Sequence, residues 1–340
     1  MKKILVTGGA GFIGANFLKY IIEKYPEYFV INIDNLTYAS DYSNIQELEQ
    51  YKNYKFLKAN ICDQDIIEKV MIEHEIDTII HFAAESHVDN SIENPCIFAE
   101  TNIMGTLNLL QQAYKEWFIE PFEIKEEYRN SRFIHISTDE VYGTLGEEGY
   151  FTEASKYLPN SPYSASKAAS DLLVRSYYHT YGMNVITTNC SNNFGPFQNK
   201  EKLIPKIIYN ALKGLDLPIY GDGDNVRDWL FVIDHCTAIN AVLHQGKVGE
   251  TYLIGGHNEK KNLHLVHTIC DILDERVPKD VSYRNQIKFV ADRFGHDYRY
   301  AIDSAKIQRE LNWKPQIAFE KALEETIDWY LIKYKEGLNE

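Results

Sequence analysis

Tyr163 and Lys167 are the first residues whose types and spacing suggest chemistry. They stand four apart in a run of helical character, so they share one face of a helix. An ammonium beside a phenol favours the phenolate and lowers its pKa. Without such help tyrosine is far from ionised at neutral pH. A phenolate next to a nicotinamide can take a hydroxyl proton while hydride leaves the same carbon. Alone, the pair is common by chance and reads as a surface contact. A second feature reverses that balance. Thr7-Gly-Gly-Ala-Gly-Phe-Ile-Gly14 lies between a short apolar run and a helical segment. Gly9, Gly11 and Gly14 satisfy G-x-G-x-x-G, and Gly8, Gly11 and Gly14 give a related spacing. Glycines there let the backbone approach a pyrophosphate at a helix N-terminus. Asp34 follows at the end of the next strand, where a carboxylate accepts from adenosine ribose hydroxyls and repels a 2′-phosphate. The expected cofactor is therefore NAD rather than NADP.

The elements that must position these groups can be read from periodicity. Residues 3–6, 30–33, 54–57, 78–82, 133–137 and 185–190 read as strands, and 13–25 and 97–114 as helices. Continuous β-branched strands between helices indicate a parallel sheet covered on both faces. The fold class is α/β, a Rossmann-type doubly wound parallel sheet with a smaller mixed C-terminal lobe. The spacing predicts a helix over 163–181, with Ser161 as N-cap, Pro162 in the first turn and Gly182 as the stop. Ala165, Ala168 and Ala169 on it would admit a neighbouring helix. After Gly195, prolines and glycines break the pattern. Residues 1–190 are expected to bind the dinucleotide and 191–340 to form mainly the substrate lobe, with segments free to return to the core sheet. The charged stretch 120–130 reads as an exposed loop.

Bulk properties narrow the partners. The chain has 340 residues and a formal net charge of −14, which argues against nucleic acid and anionic membrane surfaces. An anionic substrate would need a local basic site. The opening apolar run is too short for a signal peptide, and no stretch is long enough to span a bilayer. The five cysteines are scattered without metal-ligand spacing, so they read as buried thiols in a reducing cytoplasm, with no metal site expected.

At this point the sequence resembles the extended short-chain dehydrogenase/reductase superfamily, on TGGAGFIG at 7–14, HFAAESHVD at 81–89 and YSASK at 163–167. Within it, the chain is similar to the dTDP-glucose 4,6-dehydratase family. The matching blocks are ISTDEVYG at 136–143, NCSNNFGPFQ at 189–198, EKLIP at 201–205, LPIYGDG at 217–223, VRDWL at 226–230 and DRFGHDYRYAID at 292–303. They run in order over nearly the whole chain. The resemblance implies an NAD-dependent hydro-lyase that oxidises carbon 4 of a nucleotide-linked hexose, eliminates water across carbons 5 and 6, and returns the hydrogen to carbon 6. NAD is regenerated within each turnover. It assigns Glu140 as the base at carbon 5 and Asp139 as the acid that protonates the departing hydroxyl. Thr138 would hydrogen-bond the substrate hydroxyl, beside Tyr163 and Lys167. Epimerases of the superfamily lack this carboxylate pair, and UDP-glucuronate decarboxylases resemble it with Glu but not Asp. Two adjacent carboxyls can hold different protonation states if their environments differ. Both can face the sugar only if the strand has ended by Thr138, because strand neighbours point to opposite faces.

The same carry-over gives the cofactor Gly8, Gly11, Phe12, Ile13, Gly14, Asp34, Asn35, Leu36, Thr37, Asn60, Ile61, Phe82, Ala83, Ala84, Ser86, Thr101, Tyr163, Lys167 and Asn193. It gives the substrate Ser86, Thr138, Asn192, Lys202, Leu203, Lys206, Pro218, Tyr220, Arg227, Asn262, Arg293 and His296. Arginine suits the pyrophosphate because its planar fork matches phosphate, while Pro218 and Tyr220 would pack on the pyrimidine. The sequence departs from the family pattern at Asn60, Asn90, Phe194 and Phe197. Uracil and thymine differ by one methyl, worth about 1–3 kcal/mol in a pocket, so a UDP-glucose 4,6-dehydratase is the alternative. A non-catalytic NAD-binding regulator would have no need of the full catalytic set. The family also implies a homodimer through a four-helix bundle that includes the Tyr163 helix. The product could feed rhamnose or several other deoxysugars.

Overall fold

The computed structural model describes residues 2–292 and 295–336. Strands are β1 (Lys3–Thr7), β2 (Phe29–Asp34), β3 (Tyr54–Lys58), β4 (Thr78–His81), β5 (Phe118–Glu120), β6 (Glu123–Ile124), β7 (Arg132–Thr138), β8 (Val185–Cys190), β9 (Asn192–Phe194), β10 (Leu217–Tyr220), β11 (Val226–Phe231), β12 (Thr251–Ile254), β13 (Glu259–Lys261) and β14 (Ile287–Val290). Helices are α1 (Phe12–Lys24), α2 (Gln64–Glu73), α3 (Val88–Glu93), α4 (Pro95–Phe98), α5 (Thr106–Trp117), α6 (Pro162–Tyr181), α7 (Leu203–Lys213), α8 (Val232–Gln245), α9 (Asn262–Arg276), α10 (Ala305–Leu311) and α11 (Phe319–Glu336).

Seven parallel strands form the central sheet in the order β12-β8-β7-β4-β1-β2-β3. Side chains alternate between its faces, as the pleat requires. Ile4 and Val6 of β1 join the core under α1 and α8, whereas Leu5 joins the core under α2, α5 and α6. The chain reverses its direction of winding between β1 and β4. That switch point opens a crevice at the carboxyl ends of the strands, where ligands bind in such sheets. The C-terminal lobe adds a three-stranded sheet, β13-β11-β9, and the parallel pair β10-β14.

The capped helix stands where the sequence places it. Ser161 caps α6 through a capping box with Ser164, and Gly182 ends it at φ 73°. Other expectations need correction. Residues 97–114 do not form one α-helix, because residues 99–105 wind as a π-helix between α4 and α5. Gly105 lies there against Ile61, which a Cβ would meet at 2.4 Å, so the wider turn sits at a crowded point. Residues 120–130 are not simply loop, since they hold most of the β5–β6 hairpin and a 3-10 turn that buries Tyr128. Ala168 packs with Val141, Tyr142 and Phe151 of the segment after β7, so its small size admits that loop rather than a helix. Cys190, Cys236 and Cys270 are buried thiols, but Cys62 is half-buried and Cys96 is exposed.

Candidate active site

The glycine turn after β1 makes the floor of a cavity of about 360 Å³. Gly8 adopts φ 74°, and a Cβ there would meet the Ala83 backbone at 2.5 Å. A Cβ on Gly14 would meet the Gly8 carbonyl oxygen at 2.3 Å. The chain therefore turns tightly enough for α1 to begin at the cavity. Gly11 is its N-cap, and no side chain caps its first turn, so first-turn amides face the cavity with their positive dipole end. At the end of β2, Asp34 accepts from Ala10 N at 2.9 Å and Leu36 N at 2.8 Å. These bonds aim its carboxylate along the rim while leaving lone pairs for further donors. A glycine cradle, an uncapped helix start and a ribose-facing carboxylate fit NAD.

Of the cofactor candidates, Gly8, Gly11, Phe12, Ile13, Gly14, Asp34, Asn35, Thr37, Asn60, Ile61, Phe82, Ala83, Ala84, Ser86, Thr101, Tyr163, Lys167 and Asn193 all line this cavity. Leu36 does not. It adopts φ 55° and packs against the hydrophobic core. Asn60 keeps its place on the wall, with its amide oxygen accepting from Cys62 N at 2.9 Å.

A second cavity of about 280 Å³ adjoins the first. Asn192, Lys202, Leu203, Lys206, Pro218, Tyr220, Arg227, Asn262 and His296 line it, while Ser86 and Thr138 line the first. Arg293 lies outside the described residues. Arg227 is buried, and its guanidinium lies 4.3 Å from the centre of the Tyr300 ring. It donates to the carbonyls of Val226 at 2.8 Å, Tyr298 at 3.2 Å and Asp297 at 2.9 Å. Those bonds fix the fork and use three of its five N–H groups. Lys202 donates to the Ser86 carbonyl at 2.9 Å and so ties the lobe to the crevice. Glu140, Asn192, Glu201 and Lys202 line both cavities.

The catalytic candidates meet at that junction. β7 ends at Thr138, and residues 139–142 turn as a 3-10 helix, so Asp139 and Glu140 escape strand alternation. The Thr138 hydroxyl accepts from Glu140 N at 3.3 Å and donates to Asp139 Oδ1 at 3.4 Å. Asp139 is buried, and burial first, then the charges of Glu140 and Asp228, push its carboxyl well above the usual range. Its surroundings therefore favour the protonated form beside its neighbour. Tyr163 packs edge-on against Phe98 and lines the cavity with Thr138. Lys167 donates to the Ile136 carbonyl at 2.9 Å. Here the expected electrostatics do not hold as stated. Burial pushes the Tyr163 phenol well above its ordinary value, with Glu140 adding to it. Burial likewise pulls Lys167 down to about 8.

The curated dTDP-glucose 4,6-dehydratase of Salmonella typhimurium is 53% identical over 339 residues, covering 97% of this chain and 92% of that protein. Its namesake from Escherichia coli K12, dTDP-glucose 4,6-dehydratase 1, is 52% identical over 342 residues, covering 98% and 94%. The chain belongs to the dTDP-glucose 4,6-dehydratase family. The wider family model that matches residues 5–326 is described as GDP-mannose 4,6 dehydratase. Among solved structures, the family member DesIV from Streptomyces venezuelae, solved with NAD bound, superposes with a TM-score of 0.89 at 43% identity over 98% of each chain. A UDP-glucose 4-epimerase from Thermotoga maritima superposes at 0.85 with 26% identity over 98% of this chain and 99% of its own. The fold is thus shared more widely than the family sequence.

Sequence reasoning missed several wall residues. Glu85, Ser191, Gln198 and Glu201 line the first cavity, and His87, Trp229, Asp297 and Tyr300 the second. All eight fall inside the recognised family blocks, but nothing in a block distinguishes a wall residue from one that packs behind it. Asn90 sits on α3, where its backbone N–H donates to His87 Nδ1 at 3.3 Å. Phe194 is buried against Trp229, Phe231 and Phe319 in an aromatic cluster. Phe197 lies under the Lys19 ammonium, 4.3 Å from its ring centre.

Proposed function

We propose that this protein dehydrates dTDP-glucose to dTDP-4-keto-6-deoxyglucose with NAD as a recycled cofactor. The observation that carries the reading is that the two cavities meet at Glu140, within a wall that also holds Thr138, Asp139, Tyr163 and Lys167. When bound, NAD supplies the two-electron acceptor that takes hydrogen from carbon 4 and returns it to carbon 6, together with a positive ring charge. Thr138 holds the 4-hydroxyl, and Tyr163 takes its proton as phenolate, a state favoured by the Lys167 ammonium and opposed by burial. The resulting ketone acidifies carbon 5, and Glu140 removes that proton and gives it back to carbon 5 when the hydrogen returns to carbon 6. Asp139, held protonated, donates to the 6-hydroxyl, which leaves as water. The acid and the base are adjacent residues whose burial differs. Arg227, Lys202 and Lys206 supply the positive charge that a pyrophosphate needs within a protein of net charge −14.

The domain division is proposed on the same ground. Residues 1–190 hold the glycine floor and the catalytic turn, and the later segments supply the second cavity. The exposed Met104 and Leu172, beside α5 and on α6, support a homodimer paired through these helices. Light scattering reads that mass directly. Five free cysteines fit a reducing cytoplasm. Among the described residues no helix is long and apolar enough to cross a membrane. The deciding experiment is mass spectrometry of products with dTDP-glucose and UDP-glucose in competition. The expected result is loss of one water, predominantly from the thymidine substrate. No 4-keto-6-deoxy product from either, with NAD added, would defeat the reading.

A further inference from the structure

Behind the catalytic wall lies a connected set of buried polar groups that the reaction does not use directly. Asp171 is buried on α6, one turn beyond Lys167 and on the same face. Its Oδ2 accepts from the Tyr157 hydroxyl at 3.1 Å and from Asn189 Nδ2 at 3.0 Å. Asn189 Nδ2 also donates to the Thr138 carbonyl at 3.0 Å. The Tyr142 hydroxyl donates to Asn189 Oδ1 at 3.4 Å. Thr138 caps the turn that carries Asp139 and Glu140. Two bonds therefore link Asp171 to the root of the acid–base pair.

A buried carboxylate needs a compensating charge. His135 on β7 places Nε2 3.1 Å from Asp171 Oδ1, but burial pulls that ring down to about 4 and keeps it neutral. His81 on β4 is held well below its ordinary value in the same way. Burial pushes Tyr142 and Tyr157 far up, so both remain neutral donors. Cys190 on β8 is pushed up to about 12 and Asp139 well above its usual range, again by burial first. The cation one turn before it on the same face of α6 is Lys167. Asp171 is also the largest influence that opposes the burial of that ammonium.

We infer that Asp171 is a positioning residue of the active site, setting its negative charge behind Lys167 and, through Asn189, fixing the Thr138 carbonyl from which the Asp139–Glu140 turn departs. The inference rests on the dehydratase reading. Its sign follows from the charges. Removing the carboxylate lets Lys167 lose its proton at lower pH. Activity that needs the ammonium is present below that pKa and lost above it, so the alkaline limb of the pH profile moves to lower pH.

The test is Asp171→Asn, with wild type and Asp171→Glu alongside, measured as NAD-loaded full-length protein with dTDP-glucose across the neutral and alkaline range. The expected result is a kcat lower by roughly 10- to 100-fold, a nearly unchanged KM, and an alkaline limb shifted down by roughly one pH unit. Asp171→Glu restores the limb. A lower kcat with the limb unmoved would mean packing alone and overturn the inference, as would unchanged kinetics. If Asp171→Asn does not fold, Asn189→Ala reads the second link. A kcat lower by roughly tenfold that Asn189→Gln recovers supports it, and an unchanged kcat, or a fall that Asn189→Gln does not recover, overturns it. Inactive wild type would instead defeat the dehydratase reading itself.

Discussion

The cofactor floor and the nucleotide-sugar wall are built in opposite ways. The floor is backbone: Gly8, Gly11 and Gly14 within one turn, with the start of α1 behind them. The wall is side chains from separate elements, with Lys206 on α7, Pro218 and Tyr220 on β10, Arg227 on β11 and Asn262 on α9. A site made of absent side chains is damaged by adding atoms. A site made of charges is damaged by removing them. Here the first lies at the end of the central sheet and the second draws most of its side chains from segments after residue 190.

Substitutions can break this comparison at its joint or sharpen it on either side. The largest effect is expected at Glu140, which belongs to both regions. Glu140→Gln should lower kcat by about 10²- to 10⁴-fold, the range for a lost general base, with bound NAD unchanged in the spectrum of the purified protein. Equal turnover in that variant would remove Glu140 as the base. On the wall, Arg227→Met removes a charge-assisted contact worth about 1.5–3 kcal/mol. Steady-state kinetics should show kcat/KM down by roughly 10- to 150-fold, mostly through KM, with NAD content intact. On the floor, Gly14→Ala puts a methyl 2.3 Å from the Gly8 carbonyl oxygen. Overpacking of that kind costs about 1–3 kcal/mol, and here the loss should appear as cofactor released on gel filtration. If Arg227→Met lost NAD while Gly14→Ala kept it, the division into floor and wall would be wrong.

The smallest effect concerns stability rather than rate. Asp139 has its folded pKa raised above its ordinary value of 3.8 by burial and by Glu140. The stability it contributes is therefore fully present below that value and is lost as pH rises through the raised one. Asp139→Asn cannot ionise, so its Tm should exceed the parent's at pH 8, with a smaller gap at pH 5. A gap that narrowed with rising pH would mean that Asp139 is ionised in the folded protein.

What the sequence made legible was mostly local. The glycine turn, Asp34 and the Ser161–Gly182 caps depend on backbone preferences within a few residues, and the structure shows each in place. The end of β7 at Thr138, on which the geometry of both carboxylates depends, was a condition the sequence could pose but not answer. Long-range features stayed hidden. The sequence does not reveal that Leu36 packs against the core, that Lys167 reaches the Ile136 carbonyl, or that burial pushes the Tyr163 phenol up. Each depends on what the rest of the chain packs around the residue. The aromatic neighbours of Phe194, which are Trp229, Phe231 and Phe319, come from distant parts of the chain.

β12 comes from the C-terminal half yet forms the outermost strand of the central sheet, paired along β8 from Thr187 to Cys190. A fragment cut after residue 190 would bare the main-chain donors and acceptors of β8 and strip the α8 covering from one face. Such a fragment would present a sticky border to its own copies. The half that holds the glycine turn is thus a poor candidate for transplanting as a ready-made module, and the lobe that receives the sugar nucleotide doubles as the sheet's protective hem.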